Sequence, residues 1–435
     1  MSKITFIGAG SAVFALNVLG DCMLTPALQG FELALYDIDA ERLRYSAALL
    51  NNRKEASGSG CTIRVYDDRK EALRGAKYVI NAIRVGVDGV YDPSTLTDLD
   101  IPKKYGLRQS VGDTVGIGGL FRSLRTIPVM LDIAEEIRDV CPNALFLNYT
   151  NPMAVLTNVM NTYGGVRTVG LCHSVQVCVP GLLKGLGLDP EGVQSKIAGI
   201  NHMAWLLEVT RDGQDLYPEI KRLAKEKQAS GKHGDMVRYE MMFRFGFYNT
   251  ESSEHTAEYH PYFIKRNYPE LLDKLNIPLD LYARVYPKRV EQWNNREKLL
   301  NDKNVQFKRS HEYASYIFEA METNKPIKIG ANVMNTGLIT NLPYDSCVEV
   351  PCIVDASGVT PTYVGPLPQQ LAALNRTNIN TQLMTVEAAM TRKREHIYQA
   401  AMLDPHTAAE LSIDDIVAMC DELIEAHGKW LPAYS

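Results

Sequence analysis

Residues 3–12 read KITFIGAGSA, a short apolar strand pattern that runs directly into a turn containing Gly8 and Gly10. The apolar residues of 13–23 then recur at helical spacing. A strand, a glycine turn and a helix in this order allow backbone N–H groups to approach a pyrophosphate at a helix N-terminus. Val13 replaces the third glycine of the usual dinucleotide pattern, so a purely structural turn remains the alternative. If the turn binds a nucleotide, the contacts come from Gly8, Gly10, Ser11 and Ala12.

The first two hundred residues continue this alternation of strand and helix patterns. Further apolar runs occupy 31–37, 62–66, 78–83, 144–149 and 168–171. The pattern predicts an α/β fold with a Rossmann-like, doubly wound parallel sheet in an N-terminal domain of residues 1–197. Ligands of such sheets collect outside the carboxyl ends of the strands. The polar residues predicted at those ends are Asp37, Asn81, Asn148, Asn151 and Cys172.

Asp37 at the end of the second strand pattern favours NAD as the cofactor. A carboxylate at this position can accept hydrogen bonds from ribose hydroxyls and disfavours a 2′-phosphate. We therefore predict that Asp37 and Asn81 join the glycine turn in binding NAD.

The pattern changes after about residue 200. Charged helix patterns there mix with aromatic residues and with strand-like runs at 327–333 and 348–354. We interpret residues 198–435 as an α+β domain for metal binding, substrate binding and oligomerisation. No long Pro/Gly/Ser linker separates the halves, so a site can lie between them.

The composition excludes several function classes. The 435 residues are 46% apolar, and 46 Lys+Arg against 51 Asp+Glu give a net charge of -5. This balance provides no basic surface for nucleic acid or for a membrane. No apolar run reaches the length of a membrane span, and the N-terminus shows no signal-peptide pattern. Eight scattered cysteines suit a reducing compartment, so we expect a cytoplasmic protein.

Cys172 and His202 are the candidate metal ligands. Each follows an apolar run and stands in a short polar motif, about 30 residues apart in the chain. A thiolate and an imidazole suit a soft to borderline divalent metal, and two protein ligands leave positions open for substrate oxygens. A buried core cysteine and a structural histidine are the alternatives.

Five motifs together resemble glycoside hydrolase family 4, the NAD- and manganese-dependent glycosidases, over nearly the whole chain. They are GAGS (8–11), NYTNP (148–152), CHSV (172–175), GINH (199–202) and TESSEH (250–255). The CHSV motif is similar to that of the α-galactosidase subgroup. The resemblance implies Cys172 and His202 as Mn²⁺ ligands, Asn151 as a contact to substrate hydroxyls and His173 as the general acid.

The same resemblance implies a tyrosine as the base. Tyr259 matches it, and Asp113 matches a carboxylate that raises the basicity of that tyrosine. A packing aromatic between domains is the alternative for Tyr259. Arg284 matches a substrate-binding arginine, with the spacing of Arg284 and Arg289 leaving the assignment open.

The implied reaction uses NAD⁺ without net redox change. Ordinary glycosidases use two carboxylates, whereas this family is an exception. Oxidation at sugar C3 acidifies the C2 proton, the C1 leaving group is eliminated, water adds, and the C3 carbonyl is reduced again. The resemblance also implies a homo-dimer or homo-tetramer acting on a small glycoside.

Arg84 leaves the substrate open. A guanidinium suits phosphate, and the loop 83–91 is long, so a 6-phospho-glycosidase, an α-glucosidase or an α-galacturonidase remains an alternative to an α-galactosidase. Alternatively, Arg84 forms a salt bridge or contacts NAD. A plain NAD-dependent dehydrogenase, which needs no metal, is a further alternative.

Overall fold

The computed structural model describes residues 2–87, 92–300, 309–310 and 312–435. Thirteen strands within these residues form one mixed sheet. They are β1 (Lys3–Ile7), β2 (Glu32–Tyr36), β3 (Thr62–Val65), β4 (Tyr78–Asn81), β5 (Leu145–Asn148), β6 (Thr168–Gly170), β7 (Val193–Ile200), β8 (Met203–Arg211), β9 (Gln214–Asp215), β10 (Tyr248–Asn249), β11 (Ile327–Met334), β12 (Cys347–Asp355) and β13 (Gly358–Pro361).

Helices connect and cover these strands. The α-helices of the described residues are α1 (Ala12–Leu24), α2 (Ala40–Ser57), α3 (Arg69–Leu73), α4 (Pro93–Lys104), α5 (Gly116–Val140), α6 (Met153–Thr162), α7 (His173–Gly185), α8 (Tyr217–Ser230), α9 (Met236–Phe245), α10 (Ser253–Glu258), α11 (Glu270–Lys274), α12 (Leu281–Asn294), α13 (Arg296–Leu300), α14 (Tyr313–Thr323), α15 (Gln369–Thr391), α16 (Arg394–Leu403), α17 (Pro405–Glu410) and α18 (Ile413–His427). In the described part of the chain, no helix combines the length and the apolar character required to cross a bilayer.

Six strands form the parallel half of the sheet in the order β3-β2-β1-β4-β5-β6. This is the strand order of a Rossmann sheet, so the predicted fold class is confirmed. Along β4, Tyr78 and Ile80 join one buried cluster and Val79 joins another on the opposite face. Because both faces are buried, helices pack on either side of the sheet.

Five of the other strands extend the sheet beyond β6 in antiparallel pairs, in the order β11, β12, β7, β8 and β10. The remaining two, β13 and β9, pair with β12 and β8. Gly170, Asn332, Glu349 and Gly199 lie in register across β6, β11, β12 and β7. This row brings the end of β6 close to the end of β7. The boundary predicted at residue 197 falls inside β7, and the division into two domains stays a prediction.

Candidate active site

A cavity of about 1780 Å³ lies at the carboxyl ends of the parallel strands. Ten of the predicted site residues line it: Gly8, Gly10, Ser11, Ala12, Asp37, Asp113, Asn151, Cys172, His173 and His202. Three do not line it: Asn81, Tyr259 and Arg284. The nucleotide motif and the metal motif therefore open into the same space.

Neighbouring atoms leave no space for a side chain at either glycine of the turn. Gly8 has a φ of +87°, and a Cβ at this position would lie 2.6 Å from the carbonyl oxygen of Ala82. The Gly8 N–H donates to the carbonyl of Tyr36 at 3.0 Å. A Cβ on Gly10 would lie 2.7 Å from Asp37 Oδ2. The turn thus requires glycine twice and leaves the N-terminus of α1 facing the cavity, as a dinucleotide cradle requires.

Asp37 is held directly beside this turn. Its Oδ2 accepts a hydrogen bond from the Gly10 N–H at 2.7 Å, and its Oδ1 accepts one from the Asp39 N–H at 2.9 Å. Burial raises the pKa of Asp37 against these two hydrogen bonds and the charge of Arg42. Arg42 also donates to the Gly10 carbonyl at 3.2 Å, which ties α2 to the turn.

Asn81 ends β4, as predicted, but it does not line the cavity. It is fully buried, and its amide donates to Asn148 Oδ1 at 3.0 Å and to Thr150 Oγ1 at 3.1 Å. The prediction of a direct cofactor contact is therefore not supported. These two hydrogen bonds hold the end of β5 and the turn that carries Thr150 and Asn151.

Cys172, His202 and Glu251 form a cluster in which one potential ligand atom from each residue lies within 4.8 Å of the others. Cys172 stands at the N-cap of α7. Asn201 and His202 form a two-residue hairpin loop between β7 and β8, with a φ of +60° at His202. Glu251 directly precedes the N-cap of α10, Ser252. A thiol, an imidazole and a carboxylate from three separate elements thus lie together.

The electrostatics of the cluster fit a cation. Burial, together with the carboxylate of Glu251, raises the pKa of the Cys172 thiol to about 11. Burial alone would raise the pKa of Glu251, but the neighbouring His202 and His255 outweigh it and hold that pKa below its usual range. His202 Nδ1 is buried without a hydrogen-bond partner among the described residues. These three side chains could therefore ligate a divalent cation, which would displace the proton of the Cys172 thiol.

Glu251 is a functional candidate that the sequence analysis missed. It belongs to the TESSEH motif at 250–255, but a single glutamate in a polar turn has no local feature that marks it as a ligand. Its 3.5 Å approach to His202 Nε2 reveals the association.

His173 begins α7 and faces the cavity. Its Nε2 lies 2.7 Å from Glu312 Oε2, and its side chain is 47% exposed. The hydrogen bond to Glu312 raises the pKa of His173 against the opposing effect of burial. A raised pKa favours a protonated imidazole, which is the form that a general acid needs.

Asp113 lies at the centre of a buried polar network on the cavity wall. Its Oδ2 accepts hydrogen bonds from the Tyr282 hydroxyl at 2.5 Å and from Arg122 Nη1 at 3.1 Å. His255 Nε2 lies 3.9 Å from Asp113 Oδ1. Burial would raise the pKa of Asp113, but His255, Arg122 and Tyr282 outweigh it and hold that pKa well below its usual range.

His255 connects this network to the metal cluster. Its ring centroid lies 4.5 Å from that of His202, and the ring lines the cavity. Burial and the charge of His202 would lower the pKa of His255, but Asp113 and Glu251 raise it overall. A histidine at a cavity wall between a carboxylate and a metal site is a candidate for proton transfer.

Tyr259 does not face the cavity. The residue is fully buried, its hydroxyl donates to the carbonyl of Asn201 at 3.2 Å, and its own carbonyl accepts from Asn378 at 3.1 Å. Burial, with the charge of Glu258, raises its pKa well above the usual range. The structure therefore does not support Tyr259 as the base. The tyrosine that contacts Asp113 is Tyr282.

Arg284 also lies away from the cavity. Its side chain is 44% exposed and pairs with Glu254 at 3.2 Å. The cavity is lined from α12 by Tyr282, Tyr286, Arg289 and Trp293, which recur at helical spacing. Arg284 falls on a different face of this helix, so the predicted substrate contact is not supported.

Comparisons with known proteins agree with this geometry. Residues 3–188 match the model of the family 4 glycosyl hydrolases, and residues 197–407 match that of the family 4 glycosyl hydrolase C-terminal domain. An α-galactosidase of Bacillus subtilis is 63% identical, with both chains covered in full. The chain belongs to family 4 of the glycosyl hydrolases.

A more distant relative and a solved structure are also similar to this chain. An α-galactosidase of Rhizobium meliloti is 35% identical over 100% of this chain and 90% of its own length. The fold is similar to that of a 6-phospho-α-glucosidase from gut microorganisms, solved in complex with NAD and Mn²⁺. That pair has a TM-score of 0.81 at 22% identity, with 100% of both chains covered.

Proposed function

We propose that this family 4 member is an NAD- and divalent-metal-dependent α-galactosidase, with Mn²⁺ as the metal. One observation carries the proposal: the glycine turn and the Cys172–His202–Glu251 cluster line one cavity. A plain dehydrogenase has no need of such a cluster beside its nucleotide. The 63% identity to the α-galactosidase of Bacillus subtilis supports the galactoside as substrate.

Bound NAD⁺ supplies a reversible hydride acceptor at sugar C3, and a bound divalent cation supplies a Lewis acid for the C2 and C3 oxygens. The chain's own residues hold these groups. Gly8, Gly10 and the N-terminus of α1 receive the pyrophosphate, and Asp37 accepts from the ribose. Cys172, His202 and Glu251 hold the cation, and Asn151 orients the sugar hydroxyls.

Proton transfer is divided between two histidines. His173, kept protonated by Glu312, donates to the departing glycosidic oxygen. His255 accepts the C2 proton, because its ring lines the cavity and packs against that of the ligand His202. Asp113 faces His255 and is itself held by Tyr282 and Arg122. A cation in the adjacent cluster would lower the pKa of His255 and so favour its neutral form.

The test is release of nitrophenol from 4-nitrophenyl α-galactoside, with NAD⁺, Mn²⁺ and a thiol reductant each omitted in turn. We expect cleavage only when NAD⁺ and the metal are both present, with thiol preserving Cys172. Cleavage without NAD⁺ would contradict the mechanism. Stoichiometric NADH from a polyol or hydroxy acid, without glycoside cleavage, would favour a dehydrogenase.

A cytoplasmic location and a homo-dimer or homo-tetramer complete the proposal. Both come from the sequence and from the family resemblance. Light scattering of the purified chain tests the oligomer number.

A further inference from the structure

Arg84 lies on the cavity wall three residues beyond β4, and a neighbour neutralises its charge. Its guanidinium forms an ion pair with Asp92 and donates to Thr95 Oγ1 at 3.1 Å. The guanidinium also lies 4.4 Å from the centroid of the Tyr282 ring. Arg84 and Asp92 both line the cavity, although the intervening loop residues 88–91 lie outside the described residues.

Asp92 is fixed in place by a second role. Its Oδ1 accepts the Thr95 N–H at 3.0 Å and so caps the N-terminus of α4, while Oδ2 carries the ion pair. The side chain of Asp92 is only 7% exposed. A carboxylate anchored in this way cannot turn aside to let another anion reach Arg84.

Tyr282 joins this pair to the reacting end of the cavity. The Arg84 guanidinium lies over the Tyr282 ring. The Tyr282 hydroxyl donates a hydrogen bond to Asp113, which faces His255. A sugar whose C2 and C3 oxygens lie at the metal cluster presents its C6 group away from that cluster. The Arg84–Asp92 pair lines the same cavity and contacts Tyr282, which makes it the candidate wall for that C6 group.

A guanidinium with free donors is a bidentate receptor for phosphate or carboxylate. Here one terminal nitrogen, Nη2, contacts both Asp92 and Thr95, and the carboxylate of Asp92 would repel a second anion. We propose that Asp92 is a specificity-determining residue, which by pairing with Arg84 admits glycosides with an uncharged C6 group and excludes those with a C6 phosphate or carboxylate. This inference rests on the proposed function of the same cavity.

The test replaces only the charge. Asp92→Asn keeps an N-cap side chain, because asparagine caps about as well as aspartate. We measure kcat/KM on the 4-nitrophenyl α-glycosides of galactose, galacturonic acid and galactose 6-phosphate. The ratio of anionic to neutral substrate should rise roughly 10- to 100-fold, as expected for a freed charge-assisted contact. Adding Arg84→Gln to Asp92→Asn should abolish that gain.

Asp68→Asn is the matched control. Asp68 also caps a helix, accepting the Glu71 N–H at 2.8 Å, but it is exposed and does not line the cavity. It should leave the substrate ratio unchanged. If Asp92→Asn fails to fold by circular dichroism, Asp92→Ser provides a neutral cap in its place.

Calorimetry separates this inference from the proposed function. Binding of galacturonate relative to galactose is measured on wild type and on Asp92→Asn, independently of turnover. A folded neutral variant with an unchanged binding ratio and an unchanged kcat/KM ratio would overturn the role of Asp92. Absence of galactoside cleavage by wild type, with the binding ratio still raised in the variant, would instead refute only the proposed function.

Discussion

The nucleotide end and the metal end of the cavity are built in opposite ways. The nucleotide end uses backbone geometry from adjacent strands, with Gly8 and Asp37 only 29 residues apart in the chain. The metal end uses side chains that converge from Asp113 to Tyr282, a separation of 169 residues. A site built from backbone geometry is visible in the sequence as glycines directly after a strand pattern. A site built from side chains that are distant in the chain has no such local pattern.

The two ends also differ in their buried acidic side chains. Asp37 is the acidic side chain beside the glycine turn and is satisfied by two backbone N–H groups. Behind the metal cluster, Glu349 is fully buried in β12, and burial raises its pKa well above the usual range. Changes at the metal end should therefore have larger and more pH-dependent effects than changes at the nucleotide end.

Cys172→Ala should have the largest effect. It removes one of three ligand groups, and we expect metal affinity and kcat to fall about 1000-fold or more, whereas NAD⁺ affinity stays near that of wild type. Metal content is measured by plasma emission spectroscopy and NAD⁺ binding by calorimetry. Cys178→Ala is the control, because Cys178 lies on the same helix in an apolar cluster away from the cavity. Full metal content in Cys172→Ala would contradict the assignment.

Metal binding should depend strongly on pH, and nucleotide binding should not. Because burial raises the pKa of Cys172 to about 11, the metal-free thiol is protonated throughout the neutral range. Binding must release that proton, so the affinity should rise about tenfold per pH unit, or roughly 100-fold from about pH 6 to about pH 8. Calorimetric titrations of Mn²⁺ and NAD⁺ at several pH values check this. A flat profile for Mn²⁺ would indicate that Cys172 is not the ligand.

Gly8→Ala tests the nucleotide end. A Cβ would combine the strain of a φ of +87° with a 2.6 Å contact to the Ala82 carbonyl. We expect a loss of about 1–3 kcal/mol in unfolding free energy from the strain alone, together with weaker NAD⁺ binding. Gly30→Ala is the control, because Gly30 has a φ of +84° but no atom within 4 Å of its Cβ position. It should lose stability without losing NAD⁺ affinity, and equal NAD⁺ affinities in the two variants would show that the turn does not hold the nucleotide.

The sequence predicts the sheet, and the position of the glycine turn at its edge, for physical reasons. The glycine turn, Asp37 and Cys172 each follow directly from a strand pattern, and the position outside a strand end determines their place. The sequence does not predict Glu251 or His255, because their roles depend on the row of strands that joins β6 to β7. Arg284 and Tyr259 do not line the cavity, for a related reason: a motif gives the residue type, but the face of the helix or turn decides what the side chain reaches.

Tyr259→Phe should have the smallest effect and tests that last distinction. The Tyr259 hydroxyl makes one hydrogen bond, to the Asn201 carbonyl, so its removal should cost about 1 kcal/mol of stability and leave kcat nearly unchanged. Tyr282→Phe removes the 2.5 Å hydrogen bond to Asp113 and leaves a charged, buried carboxylate with one partner fewer, so its kcat should fall further. Primary isotope effects from C2-deuterated galactoside locate the difference. If Tyr259→Phe instead lost most of its kcat with a changed isotope effect, proton abstraction would pass through a hydroxyl now buried against Asn201, and the hairpin loop carrying His202 would have to move during turnover.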